Sequence, residues 1–405
     1  MRFDYDYVIV GGGMAADAAA RGIRVVDPDG SIAILGEEAD PPYERPPLSK
    51  DLWRDPSTHE PFLGTAGATD AQLHLSTRVT AIDRAARTVT ADDDLYGYRA
   101  LLLATGGRPR ELNLGPSTQV VYYRTIGDYH RARALAGGHV VVVGGGFIGT
   151  ELAAGLAMAG AKVTFLTPDA EVGARQYPRG LSARIRRTFD EHGVDVRTGT
   201  LARWLERSSV GTVTVHAQIG ETPVSLAADG VVLGLGIEPN VELALSCGLA
   251  ADNGVVVDRF LRTVDPAVFA AGDVASYPDA ILGRRRVEHV DQATVSGRAA
   301  GFNMAALLTG RPLEPYDHTP FFYSDIFELG YEAVGRLDAG LTVLEDWASP
   351  DETGVVYYAE GEALVGVLLW NVWDSTDAAR ALLAWYHEPG SLPDPSVLKG
   401  AIRAG

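Results

Sequence analysis

Two glycine-rich stretches carry residues whose types and spacing suit the handling of phosphate. Gly11, Gly13 and Ala16 stand in the spacing GxGxxA, and Gly144, Gly146 and Gly149 form a complete GxGxxG that encloses Phe147 and Ile148. In such a turn the first glycine permits a tight bend and the second lets a pyrophosphate approach the backbone. The third, small residue allows a helix to pack closely on a strand. The helix N-terminus then offers free N–H groups and the positive end of its dipole. A carboxylate follows each turn at nearly the same distance: Glu37 lies 21 residues past Ala16, and Asp169 lies 20 past Gly149. Acidic side chains there accept hydrogen bonds from ribose hydroxyls, so each stretch predicts a bound dinucleotide.

Residues 42–50 read "PYERPPLSK" and set Arg45 and Lys50 five residues apart around Pro46 and Pro47, in a chain of formal net charge −18. Read locally, this is a stiff basic turn. The single cysteine, Cys247, can supply neither a CxxC pair nor an internal disulfide framework, so electrons would have to reside on a bound group. It also suggests a reducing compartment. The negative charge opposes phosphate backbones and anionic lipids, which argues against nucleic acid as a partner. No apolar run approaches the roughly 18 residues of a membrane span. "MRFDYDYVIVGGG" enters a strand pattern with no export or organelle signal, and a soluble, cytoplasmic protein is expected.

The elements that must position these residues follow from the pattern. Tyr7–Val10 reads as a strand leading into the first glycine turn and an alanine-rich helix, and "SIAILGEE" as the next strand. The second unit repeats this with "HVVVV" and Val163–Leu166. "LLLATGGRPR" is a strand running into a glycine turn at Thr105 and Gly106, and "VDPAVFAAGDVA" is a strand ending in Gly272 and Asp273. With 405 residues the chain should hold two to four domains. From about residue 319 the texture changes to short runs such as "GYEAVGRL", "GVVYYAE" and "ALVGVLLWNV", which read as antiparallel strands, before the helical "STDAARALLAWYHE".

Taken together, these motifs resemble the two-dinucleotide flavoprotein reductases, with FAD on the first unit and a nicotinamide cofactor on the second. Within them the chain resembles the ferredoxin reductase and apoptosis-inducing factor group. The stretches "PYERPPLSKDLW", "GGGFIGTELA", "GIEPNVELA", "LGRRRVEHVDQATVSGRAAGFNM" and "FFYSDIFELGYEAVG" are closest in motif to apoptosis-inducing factor. Glutathione-reductase-like relatives use a cysteine pair that this chain lacks, and no FxGxxxHxxxW pattern of Baeyer–Villiger monooxygenases occurs. The resemblance implies an α/β fold with two Rossmann-like dinucleotide-binding domains and a C-terminal α+β interface domain. Residues 1–112 and 239–318 would form a discontinuous FAD domain, 113–238 the NAD(P)H domain and 319–405 the C-terminal domain.

The resemblance also implies roles. Lys50 would lie beside the flavin N5 with Glu151 as its counter-charge, and His289 would complete the catalytic set. FAD would be held by Gly11, Gly13, Ala16, Glu37, Arg45, Lys50, Val79, Thr105, Gly106, Arg124, Asp273, Glu288, His289 and Tyr323. The nicotinamide nucleotide would meet Gly144, Gly146, Phe147, Ile148, Gly149, Glu151, Asp169, Arg175, Gly236, Glu288 and Tyr323. The family most often has tryptophan where Tyr323 stands; tyrosine keeps an aromatic face. Asp169 and Glu171 favour NADH over NADPH, whereas Arg175 offers a cation to a 2′-phosphate. The implied activity takes hydride from NADH onto flavin N5 and passes electrons to a ferredoxin or rubredoxin. Alternatives are an NADH-responsive flavoprotein with a long-lived charge-transfer complex and redox-dependent homodimerisation, or an NADH:quinone reductase. The basic stretch "GRRRVEH" reads either as a solvated loop or as a landing site for an acidic iron–sulfur carrier.

Overall fold

Apolar strands alternating with helices build two parallel sheets. The computed structural model describes residues 1–57, 61–208 and 211–403. It divides into two compact units.

The first unit comprises Met1–Glu44, Glu60–Arg108 and Glu238–Pro320. Its parallel strands run in the order Gln72–His74, Ile32–Leu35, Arg2–Val10, Asp94–Leu103, with Val268–Ala270 also beside Asp94–Leu103. Antiparallel Thr88–Ala91 and Val79–Asp83 extend the sheet. The register aligns Val10 with both Leu35 and Leu103, and Leu103 with Ala270, so the carboxyl ends of four strands finish level. In an open α/β sheet that edge is where ligands bind. Val8, Ile9, Leu101 and Leu102 are fully buried, as continuous apolar strands covered on both faces must be. The first strand begins at Arg2 rather than Tyr7, because Arg2–Tyr5 alternates exposed and half-buried side chains.

Helices Met14–Val26 and Val290–Thr309 pack on one another in this unit with almost no space between backbones. A Cβ at Gly301 would lie 2.0 Å from the Ala19 carbonyl oxygen, and one at Gly22 would lie 2.2 Å from that of Arg298. The small residues of both helices are therefore a packing device that draws them together.

The second unit comprises Arg45–His59, Pro109–Ile237 and Phe321–Gly405. Its parallel sheet orders Asp195–Arg197, Lys162–Leu166, His139–Val143, Gly230–Leu233 and Val120–Tyr122, with Val143 level with Leu166 and Leu233. A three-stranded antiparallel sheet follows from Thr200–Arg207, Val213–Ile219 and Thr222–Ala228. The C-terminal portion is a five-stranded antiparallel sheet in the order Phe321–Ile326, Leu329–Gly335, Ala363–Trp370, Thr353–Glu360, Thr342–Ser349. Helix Thr376–Tyr386 packs against its centre and buries Ala379 and Leu383. The architecture is thus α/β, with parallel sheets and a C-terminal α+β portion. Among the described residues no helix is long and apolar enough to cross a membrane.

Candidate functional site

In the second unit the glycine turn after His139–Val143 is shaped for a ligand that approaches backbone. Gly144 has φ +117°, and a Cβ there would lie 2.3 Å from the Gly234 carbonyl oxygen. A Cβ at Gly149 would lie 1.8 Å from the Gly144 carbonyl oxygen, so only glycine lets helix Phe147–Met158 pack this closely on its strand. Gly146, the N-cap, differs: nothing lies within 4 Å of its missing side chain, and no side chain caps the helix. The cradle is open where a pyrophosphate would sit, and the helix start is left for an anion. A small cleft lined by Gly146, Phe147, Thr150, Tyr177 and Ser324 adjoins it.

Glu151 follows one turn into the same helix, and its carboxylate is 2 % exposed. The Lys50 ammonium, itself 9 % exposed, donates to Glu151 Oε1 at 2.7 Å. Two hydroxyls complete the set: Ser49 donates to Oε2 at 2.5 Å and Ser324 to Oε1 at 2.6 Å. A buried ion pair persists only where further hydrogen bonds satisfy its remaining lone pairs, and the serines supply them. The Lys50 Nζ also stands 5.0 Å from the centroid of the Tyr323 ring, within cation–π range. Burial raises the Asp325 carboxyl above the usual carboxylate range, although the charges of Lys50 and Arg54 oppose this.

The turn that carries Lys50 is fixed from several sides. Pro46–Ser49 forms a 3₁₀ turn, with proline in its first positions and Lys50 at its C-cap. The Leu48 carbonyl accepts from Trp53 Nε1 at 2.6 Å and from the Tyr123 hydroxyl. Trp53 is 1 % exposed and packs on helix Phe147–Met158, where a Cβ at Gly155 would lie 2.7 Å from its ring. Arg45 Nη1 donates to the Arg124 carbonyl at 2.7 Å, which brings those two residues together.

Asp169 and Arg175 form one ion pair, with Arg175 Nη2 at 2.6 Å and Nε at 2.8 Å from Asp169 Oδ1. Glu171 lies exposed between them in sequence. Gly236 has φ +83° with open space beside it, and its carbonyl accepts from the Arg110 N–H at 3.0 Å. Ile148 is 42 % exposed.

In the first unit Gly11 has φ +116°, and a Cβ there would lie 2.2 Å from the Ala104 carbonyl oxygen. Gly13 is the N-cap of helix Met14–Val26 and has no side-chain cap, while Ala16 is fully buried against the sheet. Glu37, Thr105 and Asp273 each stand two or three residues beyond the aligned ends of Leu35, Leu103 and Ala270. Glu37 is exposed, with Arg78 at 3.5 Å, and Val79 is buried at the start of its strand. Thr105 Oγ1 donates to the Asn240 carbonyl at 2.8 Å, and the Asn240 side chain returns a bond to the Thr105 carbonyl; Gly106 has φ +59°. His289 is the N-cap of helix Val290–Thr309, and burial pushes its imidazole down to about 4. Glu288 pairs with Arg286 at 2.6 Å.

The arginines of "GRRRVEH" differ in exposure: Arg284 is exposed, whereas Arg285 and Arg286 are partly buried. Arg284 donates to the carbonyls of Val257 and Ser276, and Arg286, 9 % exposed, donates to that of Asp273. Arg284 and Arg286 thus tie this stretch to the neighbouring loops. The sequence reading did not single out Ser49, Ser324 or Tyr177. Ser324 left one signal, a small polar residue within the otherwise bulky strand "FFYSDI", and that strand buries it.

With this geometry in place, the comparisons with known proteins are specific. Residues 5–297 match the family model described as pyridine nucleotide-disulphide oxidoreductase. The anthranilate 1,2-dioxygenase system ferredoxin–NAD(+) reductase component of Burkholderia cepacia is 37 % identical over 403 residues, covering 97 % of this chain and 96 % of the relative. The mitochondrial apoptosis-inducing factor 1 of Dictyostelium discoideum is 33 % identical over 94 % of this chain and 78 % of the relative. The solved covalent putidaredoxin reductase–putidaredoxin complex contains a chain that superposes with a TM-score of 0.84 at 33 % identity, covering 97 % of this chain and 96 % of that one. Two glycine cradles at aligned strand ends, a match over most of the length and relatives of this kind converge: the chain is an oxidoreductase that belongs to the pyridine nucleotide-disulphide oxidoreductase family.

Proposed function

We propose that the protein is an FAD-dependent NADH oxidoreductase that delivers electrons to a ferredoxin- or rubredoxin-type carrier. The observation that carries the reading is the buried Lys50–Glu151 pair one turn from an open, uncapped nucleotide cradle. The bound flavin would supply the chemistry that accepts a hydride and gives up electrons singly. The first unit would hold that cofactor through the Gly11–Gly13–Ala16 cradle, with Glu37, Thr105 and Asp273 just past the aligned strand ends and Val79, Gly106, Glu288 and His289 as further contacts. By the resemblance, Arg45 and Arg124 would add guanidinium donors for oxygens of the FAD pyrophosphate or flavin. Among the residues of the second unit, Gly144, Gly146, Phe147, Ile148, Gly149 and Gly236 would bind the nicotinamide nucleotide, and the Tyr323 ring would offer it an aromatic face.

The chain's own part in the reaction is electrostatic. Glu151 holds the Lys50 ammonium in a water-poor setting, where a fixed positive charge acts on developing negative charge far more strongly than in water. His289, held neutral at pH 7, adds a polar group without a second cation. NADH is the preferred donor in this reading because Arg175 is already paired with Asp169. A 2′-phosphate would meet a neutralised cation and the exposed Glu171, whereas ribose hydroxyls find a carboxylate. The three-part division at about residues 112, 239 and 319 belongs to the same proposal, as does a cytoplasmic setting.

The carrier is argued from the Burkholderia cepacia relative and from the putidaredoxin complex, both named for ferredoxin-type partners. The test is NADH-dependent cytochrome c reduction with and without a candidate ferredoxin. Acceleration of at least tenfold by the carrier supports the reading; turnover no faster than with free quinone removes it. The apoptosis-inducing factor relative supports a second reading, an NADH-responsive flavoprotein that dimerises on reduction. Unchanged mass after anaerobic reduction would eliminate that one.

A further inference from the structure

The Glu151 carboxylate has more partners than an ion pair requires, and they come from distant parts of the chain. Ser49 and Lys50 approach from the 3₁₀ turn, 102 and 101 residues away in sequence, and Ser324 from the C-terminal sheet, 173 residues away. Both serines are buried, at 6 % and 2 % exposed. Serine in a buried position, whether in the 3₁₀ turn or in the strand, is a poor choice for packing alone, because an unpaired hydroxyl there would be costly. Each instead makes its shortest bond to this carboxylate, Ser49 to one oxygen at 2.5 Å, with the Pro46 carbonyl farther at 3.5 Å, and Ser324 to the other at 2.6 Å. Lys50 shares Oε1 with Ser324, so the angle at which the ammonium is presented depends on where the two hydroxyls hold the carboxylate plane.

We propose that Ser49 and Ser324 are positioning residues, which lock the Glu151 carboxylate and through it aim the Lys50 ammonium. The proposal rests on the hydride-transfer reading of Lys50 and deepens it. It also gives the C-terminal sheet a part in the chemistry beyond any interface role, through a single hydroxyl. A lone ion pair would leave the lysine on a carboxylate able to rotate about its terminal torsion, whereas hydroxyls on both oxygens remove that freedom.

The experiment is a double-mutant cycle in the FAD-loaded protein, with Ser324→Ala, Ser49→Ala, Glu151→Gln and the combined variants. Two quantities are read: the limiting rate of flavin reduction by NADH, and the thermal unfolding midpoint without nucleotide. Ser324→Ala should lower the limiting rate about 5- to 30-fold with KM for NADH within about twofold, and Ser324→Thr should recover most of it. In the Glu151→Gln background, Ser324→Ala should add little to either the rate or the unfolding loss, because its target is gone. Ser49→Ala should behave likewise, which covers the case in which one variant folds poorly. Effects that simply multiply across the cycle, an unaltered rate in both serine variants, or a threonine variant no better than alanine would overturn the proposal. If NADH fails to reduce the wild-type flavin, the hydride-transfer reading falls, and additive or coupled unfolding midpoints still decide whether the serines act through Glu151.

Discussion

At the scale of single residues, the account turns on Lys50. Lys50→Met should keep the bound flavin, because the two serines still satisfy Glu151, yet slow flavin reduction by NADH by at least tenfold in anaerobic stopped-flow. A wild-type rate would return the residue to a structural ion pair. Asp169 bears on donor choice: Asp169→Ala should release the Arg175 guanidinium and raise the kcat/KM ratio of NADPH to NADH by about tenfold, which steady-state kinetics with both donors would show. His289 has a pH signature. Its folded value of about 4 lies below the ordinary 6.5, so the unfolded chain takes up the proton first as pH falls. The stability that neutral His289 contributes is present above about pH 6.5 and is lost on descent towards pH 4, by roughly 1–3 kcal/mol. Chemical unfolding at pH 7.5 and 4.5 should show a larger loss in wild type than in His289→Gln; equal losses would exclude this origin.

At the scale of elements, the strand–turn–helix units show how much the sequence discloses. Both glycine cradles were legible because their spacing answers a steric demand: Gly11 and Gly144 sit at positive φ against a neighbouring carbonyl, and Gly149 admits no Cβ. Gly149→Ala should destabilise the protein by about 1–3 kcal/mol through forced backbone movement and weaken NADH binding, measurable by thermal unfolding and by titration. Undiminished affinity would mean that the helix yields more easily than its packing implies. The antiparallel C-terminal strands were also legible, from their alternation and turn residues. What stayed hidden was where their side chains meet. Ser324 pairs with Tyr331 across a hairpin and reaches Glu151 across 173 positions, and no local periodicity encodes such a meeting. The same holds for Ser49, which reads as an ordinary turn residue until Glu151 stands opposite it. In "GRRRVEH" the sequence shows a basic run but not that Arg284 and Arg286 also bond the carbonyls of Val257, Ser276 and Asp273.

At the scale of the whole molecule, one chain of 405 residues and net charge −18 carries two dinucleotide cradles and a single cysteine, so its redox capacity must lie in bound cofactors. Its sequence and fold group it with reductases named for ferredoxin-type partners and with an apoptosis-inducing factor, and the choice between them is one of electron flow. The measurement that decides most directly is an anaerobic double-mixing experiment. The FAD-loaded protein is first mixed with one equivalent of NADH, and then with a candidate oxidised ferredoxin or rubredoxin. The account predicts loss of flavin absorbance within a second, followed by its return as about two equivalents of carrier are reduced. A flavin that NADH leaves oxidised, or one that is reduced but discharges to no carrier faster than to dissolved quinone, would contradict it.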